Sequence, residues 1–168
     1  MPPARTVELH EFREDTIVGF LSDLCSYVKT KGLRNAICLA PFDDESHGIV
    51  NWEKVASIAN LDILGVTPFW QFYQENQILF FGRFVDKVVA LAETYGLEAQ
   101  VWLQGFLVPA GSENELALAA DIAARKGVHN LAVWGFKGSS YMSFLRSEEP
   151  ETIWKMIGKL FQGFAIGK

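Results

Sequence analysis

The sequence lacks the features that mark secreted, disulfide-stapled and membrane-spanning proteins. It has only two cysteines, Cys25 and Cys38, fewer than small disulfide-stapled domains carry. Both are expected to be buried, reduced side chains. No apolar run reaches the roughly 20 residues of a membrane span, and the charged start MPPARTVELHEFRED has no signal-peptide core. We therefore predict a cytoplasmic protein with no membrane partner.

The sequence also lacks an excess of positive charge and the common cofactor motifs. The net charge is −5 and no basic patch is visible, which argues against a nucleic-acid partner. The sequence contains no GxGxxG, GxxxxGK[ST], CxxC or HExxH motif and no Ser/His/Asp triad order, so Rossmann, P-loop, zinc-protease and triad-hydrolase functions have no support. We predict no cofactor and no metal.

What the sequence does have is a high apolar content and a regular alternation of helices and strands. Hydrophobic residues make up 49% of the 168 positions, enough for the core of about one domain. No Pro/Gly/Ser-rich linker divides the chain. We predict an irregular or partly extended lead-in over residues 1–14 and a single domain over residues 15–168.

The stretch Leu97–Gly138 reads as one complete strand–helix–strand unit. Its first strand is predicted over residues 99–108, and its second over residues 130–136. Ser112 and Glu115 have the spacing of a capping box at the start of the helix between them. A crossover of this length requires parallel strands.

The same unit repeats along the chain at intervals of about 30 residues. Strands are predicted to start near Asn35, Leu61, Glu98 and Asn130. Helices are predicted from Asp15 to Gly32, after an Asn51 cap, over Gln77–Tyr95, after Ser112, and from Pro150. This order, with four strands and about five helices, predicts an α/β fold with a parallel sheet.

Two architectures fit four parallel strands that read as apolar on both faces, because both faces must then be covered. One is half of a (β/α)8 TIM barrel, and the other is a small doubly wound open sheet. Long polar or aromatic loops after the strands, with short turns before them, favour the half-barrel. In that arrangement, Gly135 and Gly138 permit close backbone approach.

Several of these segments together carry a family resemblance. The segments WLQGFLVPAG, NLAVWGFKG and YMS resemble the C-terminal half of a TIM-barrel protein of the glycoside-hydrolase type. The resemblance implies strand ends that carry Trp and Gln, and a carboxylate loop after a strand. Chemistry of this type needs two carboxylates at one rim.

The acidic loop that follows the first strand is the first candidate site. Asp43, Asp44 and Glu45 lie together with His47 in the segment DDESHG. They are candidates for the general acid or the nucleophile of glycosidic cleavage. A metal site and a plain solvated turn are the alternatives for the same segment.

The aromatic loop TPFWQFYQEN after the second strand is the second candidate site. Trp70 and Tyr73 are predicted to contact a sugar ring, whereas the two phenylalanines, Phe69 and Phe72, are predicted to pack beneath the loop. Glu75 is the candidate for the second carboxylate. If the loop does not supply it, another chain must.

The last two strands complete the candidate site. Trp102 and Gln104 share a strand face, and a Gln within an apolar strand needs a partner, either a substrate or a backbone group. Trp134 is the expected neighbour of Gln104 on the next strand. Lys137 follows it and is a candidate for binding a substrate, or a phosphate group.

These observations leave three functional hypotheses. The leading one is a carbohydrate-active, glycoside-hydrolase-like domain that hydrolyses or binds a glycoside at the rim. The second is a non-catalytic half-barrel that pairs with itself or with a complementing half-barrel, because its outer strands have unpaired edges. The third is an enzyme that binds a sugar phosphate near Lys137.

Overall fold

The computed structural model describes residues 7–41, 49–72 and 76–166, the side chains of residues 164–166 excepted. In this part of the chain, five α-helices alternate with four strands. The helices are α1 (Val7–Thr30), α2 (Trp52–Ala56), α3 (Gln77–Tyr95), α4 (Asn114–Arg125) and α5 (Pro150–Ile166). The strands are β1 (Ala36–Leu39), β2 (Ile63–Val66), β3 (Glu98–Gln104) and β4 (Asn130–Trp134).

The four strands form one parallel sheet in the order β1-β2-β3-β4. Each strand therefore pairs with the next strand of the sequence, as in a TIM barrel. A doubly wound sheet reverses its strand order at a switch point. The sequential order of the four strands therefore excludes the small doubly wound open sheet. The fold is α/β with the arrangement of a half-barrel.

The two faces of the sheet differ sharply in burial. The helix side carries the core, with Ile37, Leu39, Leu64, Val66, Val101 and Leu103 all buried. The register places the opposite face, here called the open face, on Ala36, Cys38, Ile63, Gly65, Glu98, Gln100, Trp102, Gln104, Asn130, Ala132 and Trp134. The expectation that both faces are apolar and covered is wrong, because this face includes Glu98, Gln100 and Asn130. Cys38, predicted to be buried, is exposed on it, whereas Cys25 is buried as predicted, and both are free thiols.

Polar contacts fasten α1 to the start of the sheet. The Glu14 carboxylate accepts hydrogen bonds from the backbone N–H groups of Val50 and Asn51 at 2.7 and 2.9 Å. At the other end of the helix, Lys29 forms an ion pair with Asp62, which precedes β2. That contact and the Asn35 N–H hold the pKa of Asp62 below its ordinary range.

Two predicted helix starts differ from the observed ones. The first helix begins at Val7 rather than at Asp15, so residues 7–14 of the predicted lead-in are helical. The capping box at Ser112 is wrong, because α4 begins at Asn114 and its Glu113 cap makes no side-chain capping bond. The Glu115 side chain instead accepts hydrogen bonds from residues that follow β2. The predicted cap of α2 is confirmed, since Asn51 accepts from the N–H groups of Glu53 and Lys54.

Candidate active site

An aromatic cluster lies at the carboxyl ends of β2, β3 and β4. It consists of Phe69, Phe72, Phe106 and Trp134, and we call it the rim cluster. Phe106 is its buried centre, with its ring centroid 4.6 Å from that of Trp134, 5.0 Å from Phe69 and 5.7 Å from Phe72. Trp134 is 37% exposed and Phe72 is 57% exposed. The cluster therefore presents aromatic surface to solvent at the end of the sheet where barrel enzymes place their sites.

Two glycines bring the ends of β3 and β4 close enough for Phe106 and Trp134 to touch. Gly105 donates its N–H to the Trp134 carbonyl at 2.8 Å, and a Cβ on Gly105 would meet that oxygen at 3.0 Å. Gly135 has φ +119°, and a Cβ there would collide with the Gly105 carbonyl group. The prediction that Gly135 permits close backbone approach is confirmed, as it is for Gly138, where a Cβ would meet Pro150 Cα at 2.6 Å.

The loop after β4 is tied to the loop after β3. Ser147 Oγ accepts from the Val108 N–H at 3.2 Å, and the Glu148 N–H donates to the Val108 carbonyl at 3.0 Å. Glu148 also accepts from the Ala110 N–H at 2.8 Å. These contacts join the backbone after Phe106 to the loop that leads into α5.

Gln104 is fully buried beneath the rim, and both ends of its amide are engaged. Its Oε1 accepts from the Gln71 N–H at 3.1 Å, and its Nε2 donates to the Phe106 carbonyl at 3.0 Å. The sequence allows either a substrate or a backbone group as the partner of Gln104, and in the structure both partners are backbone groups. Gln104 thereby links the loop after β2 to the loop after β3.

Trp70, predicted to face a ligand, is 2% exposed. Its indole packs edge-on against Phe81 and donates Nε1–H to Glu115 Oε2 at 2.9 Å. Phe72, predicted to pack beneath the loop, is instead the exposed aromatic. Gln71, which precedes Phe72, donates its Nε2–H to Glu115 Oε2 at 3.0 Å. Glu115 therefore accepts hydrogen bonds from two successive residues of the turn after β2.

The other predicted binding residues lie on two sides of the rim. Trp102 is half-buried on the open face and donates its Nε1–H to Gln100 Oε1 at 2.8 Å. Lys137 is exposed beyond β4, with its ammonium 5.8 Å from the Phe136 ring centroid. Its φ of +48° places the residue in the left-handed region.

The predicted carboxylates cannot be placed. Asp43, Asp44, Glu45, Tyr73 and Glu75 all lie outside the described residues, so their prediction stays a prediction.

Among the residues that are described, no group of three or more His, Cys, Asp or Glu side chains could hold a metal ion. Nor does any helix in this part of the chain combine the length and apolar character that crossing a bilayer requires.

A shallow pocket opens between α3 and α4, on the helix side of the sheet. Its lining is mainly apolar, and Glu115 and Gln77 are the polar residues at its wall. The Glu115 carboxylate there already accepts from Trp70 and Gln71, so it belongs to the support beneath the rim.

Comparison with known proteins identifies the fold but not the family. No family model matches the chain, and no curated protein matches it either. Among solved structures, the endo-beta-1,4-mannanase from Thermotoga petrophila is similar, with a TM-score of 0.60 and 16% identity over 89% of this chain and 41% of the mannanase. A protein assigned as an alpha-L-fucosidase from Bacteroides thetaiotaomicron is similar with a TM-score of 0.54 and 13% identity, over 85% of this chain and 47% of that one.

This chain therefore spans less than half the length of either barrel protein that it resembles. Identities of 13–16% establish the fold alone. With four parallel strands in sequential order and all core helices on one face, the chain has the fold of half a TIM barrel of the type found in glycoside hydrolases.

Proposed function

We propose that this chain supplies part of the glycoside-binding rim of a glycoside-hydrolase-like barrel, and that sugar rings stack on the rim cluster. The observation that carries the proposal is the aromatic surface of Trp134 and Phe72 at the carboxyl end of the sheet. Aromatic faces offer a large apolar area of defined geometry, which suits the C–H faces of a sugar. Lys137 and Trp102 flank this surface as further contacts.

Hydrolysis, in this proposal, uses carboxylates of the two loops that follow β1 and β2. Asp43, Asp44 and Glu45 follow β1 in the sequence, and Glu75 follows β2. Because β1 and β2 are neighbouring parallel strands, their carboxyl ends lie at the same edge of the sheet. A pair of carboxylates at one rim is the requirement of glycoside hydrolysis.

The binding part of the proposal is tested by titrating manno-, cello- and fuco-configured oligosaccharides into the full chain, with calorimetry as the readout. Trp134→Ala is expected to weaken binding by about tenfold or more, as for a central aromatic contact. Tyr95→Ala is the control, since Tyr95 is similarly exposed, at 38%, but ends α3 beside the amino end of β3. Equal losses in both variants, or no loss in either, would contradict the proposal.

The catalytic part is tested with aryl glycosides and the variants Asp43→Asn, Asp44→Asn, Glu45→Gln and Glu75→Gln. Loss of turnover in a variant that still binds sugar would assign that carboxylate to the chemistry. If all four variants keep the turnover of the unmodified chain, the catalytic assignment is removed and the binding proposal stands by itself.

A further inference from the structure

Both outer strands of the sheet are unpaired on one side. In the described residues, β1 pairs only with β2, and β4 pairs only with β3. An open strand edge presents unpaired backbone N–H and C=O groups, which favour pairing with a further strand. The two edges therefore form a surface that can accept more strands at both ends of the sheet.

The helix next to the β1 edge carries a second apolar stripe that nothing in the described structure covers. Ile17, Phe20, Leu24 and Tyr27 follow helical spacing and are 37–62% exposed. This exposed stripe adjoins the inward one that includes Val18, Leu21 and the buried Cys25. At the other end of the sheet, Trp154 and Phe161 on α5 are 37% and 38% exposed. Apolar surface thus flanks both open edges.

The open face is polar yet internally satisfied. Asn130 donates to Glu98 Oε1 at 3.0 Å, Gln100 donates to Asn130 Oδ1 at 2.9 Å, and Trp102 donates to Gln100. The Glu98 carboxylate is paired with Arg34. The face can therefore be covered without leaving an unpaired charge, which is the costly case.

The number of helices decides what can cover this surface. In a sequential parallel sheet, each helix packs over the groove between two neighbouring strands, as α3 does against β2 and β3. By the same geometry, α1 belongs to the groove between β1 and the strand before it. Likewise, α5 belongs to the groove between β4 and the strand after it.

A second copy of this chain does not fit that arrangement. If two copies closed an eight-stranded ring, β4 of one would neighbour β1 of the other. The α5 of the first copy and the α1 of the second would then compete for a single groove, at both junctions. A full barrel has eight strands and eight helices, and the described residues of this chain already provide five helices.

We propose that the open edges and the open face bind a half-barrel unit of four parallel strands and three helices, with a strand at each of its ends. Such a unit adds one strand to each edge and leaves one helix per groove. Its helices pack against the exposed α1 stripe and against Trp154 on α5. The inference does not depend on sugar binding at the rim, because it follows from the sheet order and the helix count.

The test uses the full chain and one named probe. The probe is the part of the Thermotoga petrophila mannanase that this chain does not cover, expressed as a separate chain whose folding is checked by circular dichroism. The proposal predicts a monomer by light scattering for the chain alone and a one-to-one complex with the probe. Hydrogen exchange at β1 and β4 is expected to slow at least tenfold in the complex.

A pair of phenylalanines on α1 provides the matched variants. Phe20 lies on the exposed stripe and is 62% exposed, whereas Phe12 lies off it and is 68% exposed. Phe20→Lys is expected to weaken the complex at least tenfold, and Phe12→Lys to leave it unchanged. Equal effects of the two substitutions, or absence of a complex between the unmodified chain and the probe, would overturn the proposal.

A cysteine variant tests the symmetric alternative directly. Cys38 lies on β1 and is exposed, and the substitution Ala132→Cys places a second thiol on the same face of β4. Parallel neighbours are close enough for a disulfide, so a disulfide that forms under mild oxidant between Cys38 of one copy and the introduced thiol of the other would show a symmetric dimer and overturn the proposal. A mass by light scattering that stays that of a monomer as the concentration rises supports the proposal, and a concentration-dependent dimer overturns it.

Discussion

At the scale of single residues, Glu115 connects the helix layer to the rim. Its carboxylate is half-buried and accepts from Trp70 and Gln71, while the Gln71 backbone N–H donates to Gln104. Removing the acceptor leaves a buried indole N–H and an amide without partners. We expect Glu115→Ala to lower the free energy of unfolding in urea by about 1–3 kcal/mol, and Glu115→Gln, which keeps an acceptor, to lower it less. Equal stability of Glu115→Ala and the unmodified chain would contradict this role.

Gly135 is the residue whose replacement should disturb the rim most. Alanine at this position is strained by φ +119° and also collides with the Gly105 carbonyl group. Gly111→Ala provides the control, because its φ is +89° but a Cβ there meets nothing within 4 Å. Both substitutions carry the strain of about 1 kcal/mol or more that a positive φ imposes, and Gly135→Ala adds the collision. Thermal unfolding should rank Gly135→Ala clearly below Gly111→Ala, and the reverse order would contradict the packing described here.

At the scale of elements, the docking of α1 depends on an ionised Glu14. Burial by itself would raise the pKa of Glu14, but the N–H groups of Asn51 and Val50, together with Lys54, lower it below its ordinary value of 4.5. A carboxyl with a lowered folded-state pKa stabilises the fold above its unfolded-state pKa, and this stabilisation is lost as the pH falls through the folded-state value.

We therefore expect the free energy of unfolding to decline as the pH falls below about 4.5. Glu14→Gln should lower stability at neutral pH and flatten this acid limb. Glu11→Gln, at an exposed position of the same helix, should leave the profile unchanged. Urea unfolding measured across this pH range checks both, and an acid limb of equal steepness in Glu14→Gln would exclude Glu14 as its source.

The sequence pattern predicts elements well where one residue type has a single local role. Gln77–Tyr95 is helical over the predicted range, between an Asn76 cap and Gly96 in the left-handed region. Ser112 and Glu115 also match a local pattern, yet Glu115 binds side chains 44 and 45 residues away. A tertiary contact replaces the local one there, and spacing alone cannot show it.

At the rim, sequence spacing likewise fails to predict which side chains face solvent. Strand ends and loop positions follow from periodicity, so the segments that form the rim are predictable. Which aromatic side chain of Phe69, Trp70 and Phe72 faces solvent depends on the three-residue 3-10 helix Trp70–Phe72 and on the distant Glu115. Neither is visible in a run of adjacent aromatic residues, and this is why Trp70 and Phe72 exchange their expected places.

At the scale of the whole molecule, the half-barrel explains where polar residues occur on an otherwise apolar sheet. The helix side has an ordinary apolar core. The open face carries a hydrogen-bonded row that only the register reveals, since Gln100 and Asn130 are paired across β3 and β4. Because the groups of this row are paired with one another, the face can be covered without leaving a polar group unpaired.

The most direct measurement of the central claim is hydrogen exchange of the full chain with and without a bound oligosaccharide. The rim account predicts slower exchange in residues 67–72, 104–108 and 134–139, at the carboxyl ends of three strands. It predicts no change in residues 96–98 and 127–130, at the opposite ends. Protection confined to the pocket between α3 and α4, or none at the rim under saturating sugar, would contradict it.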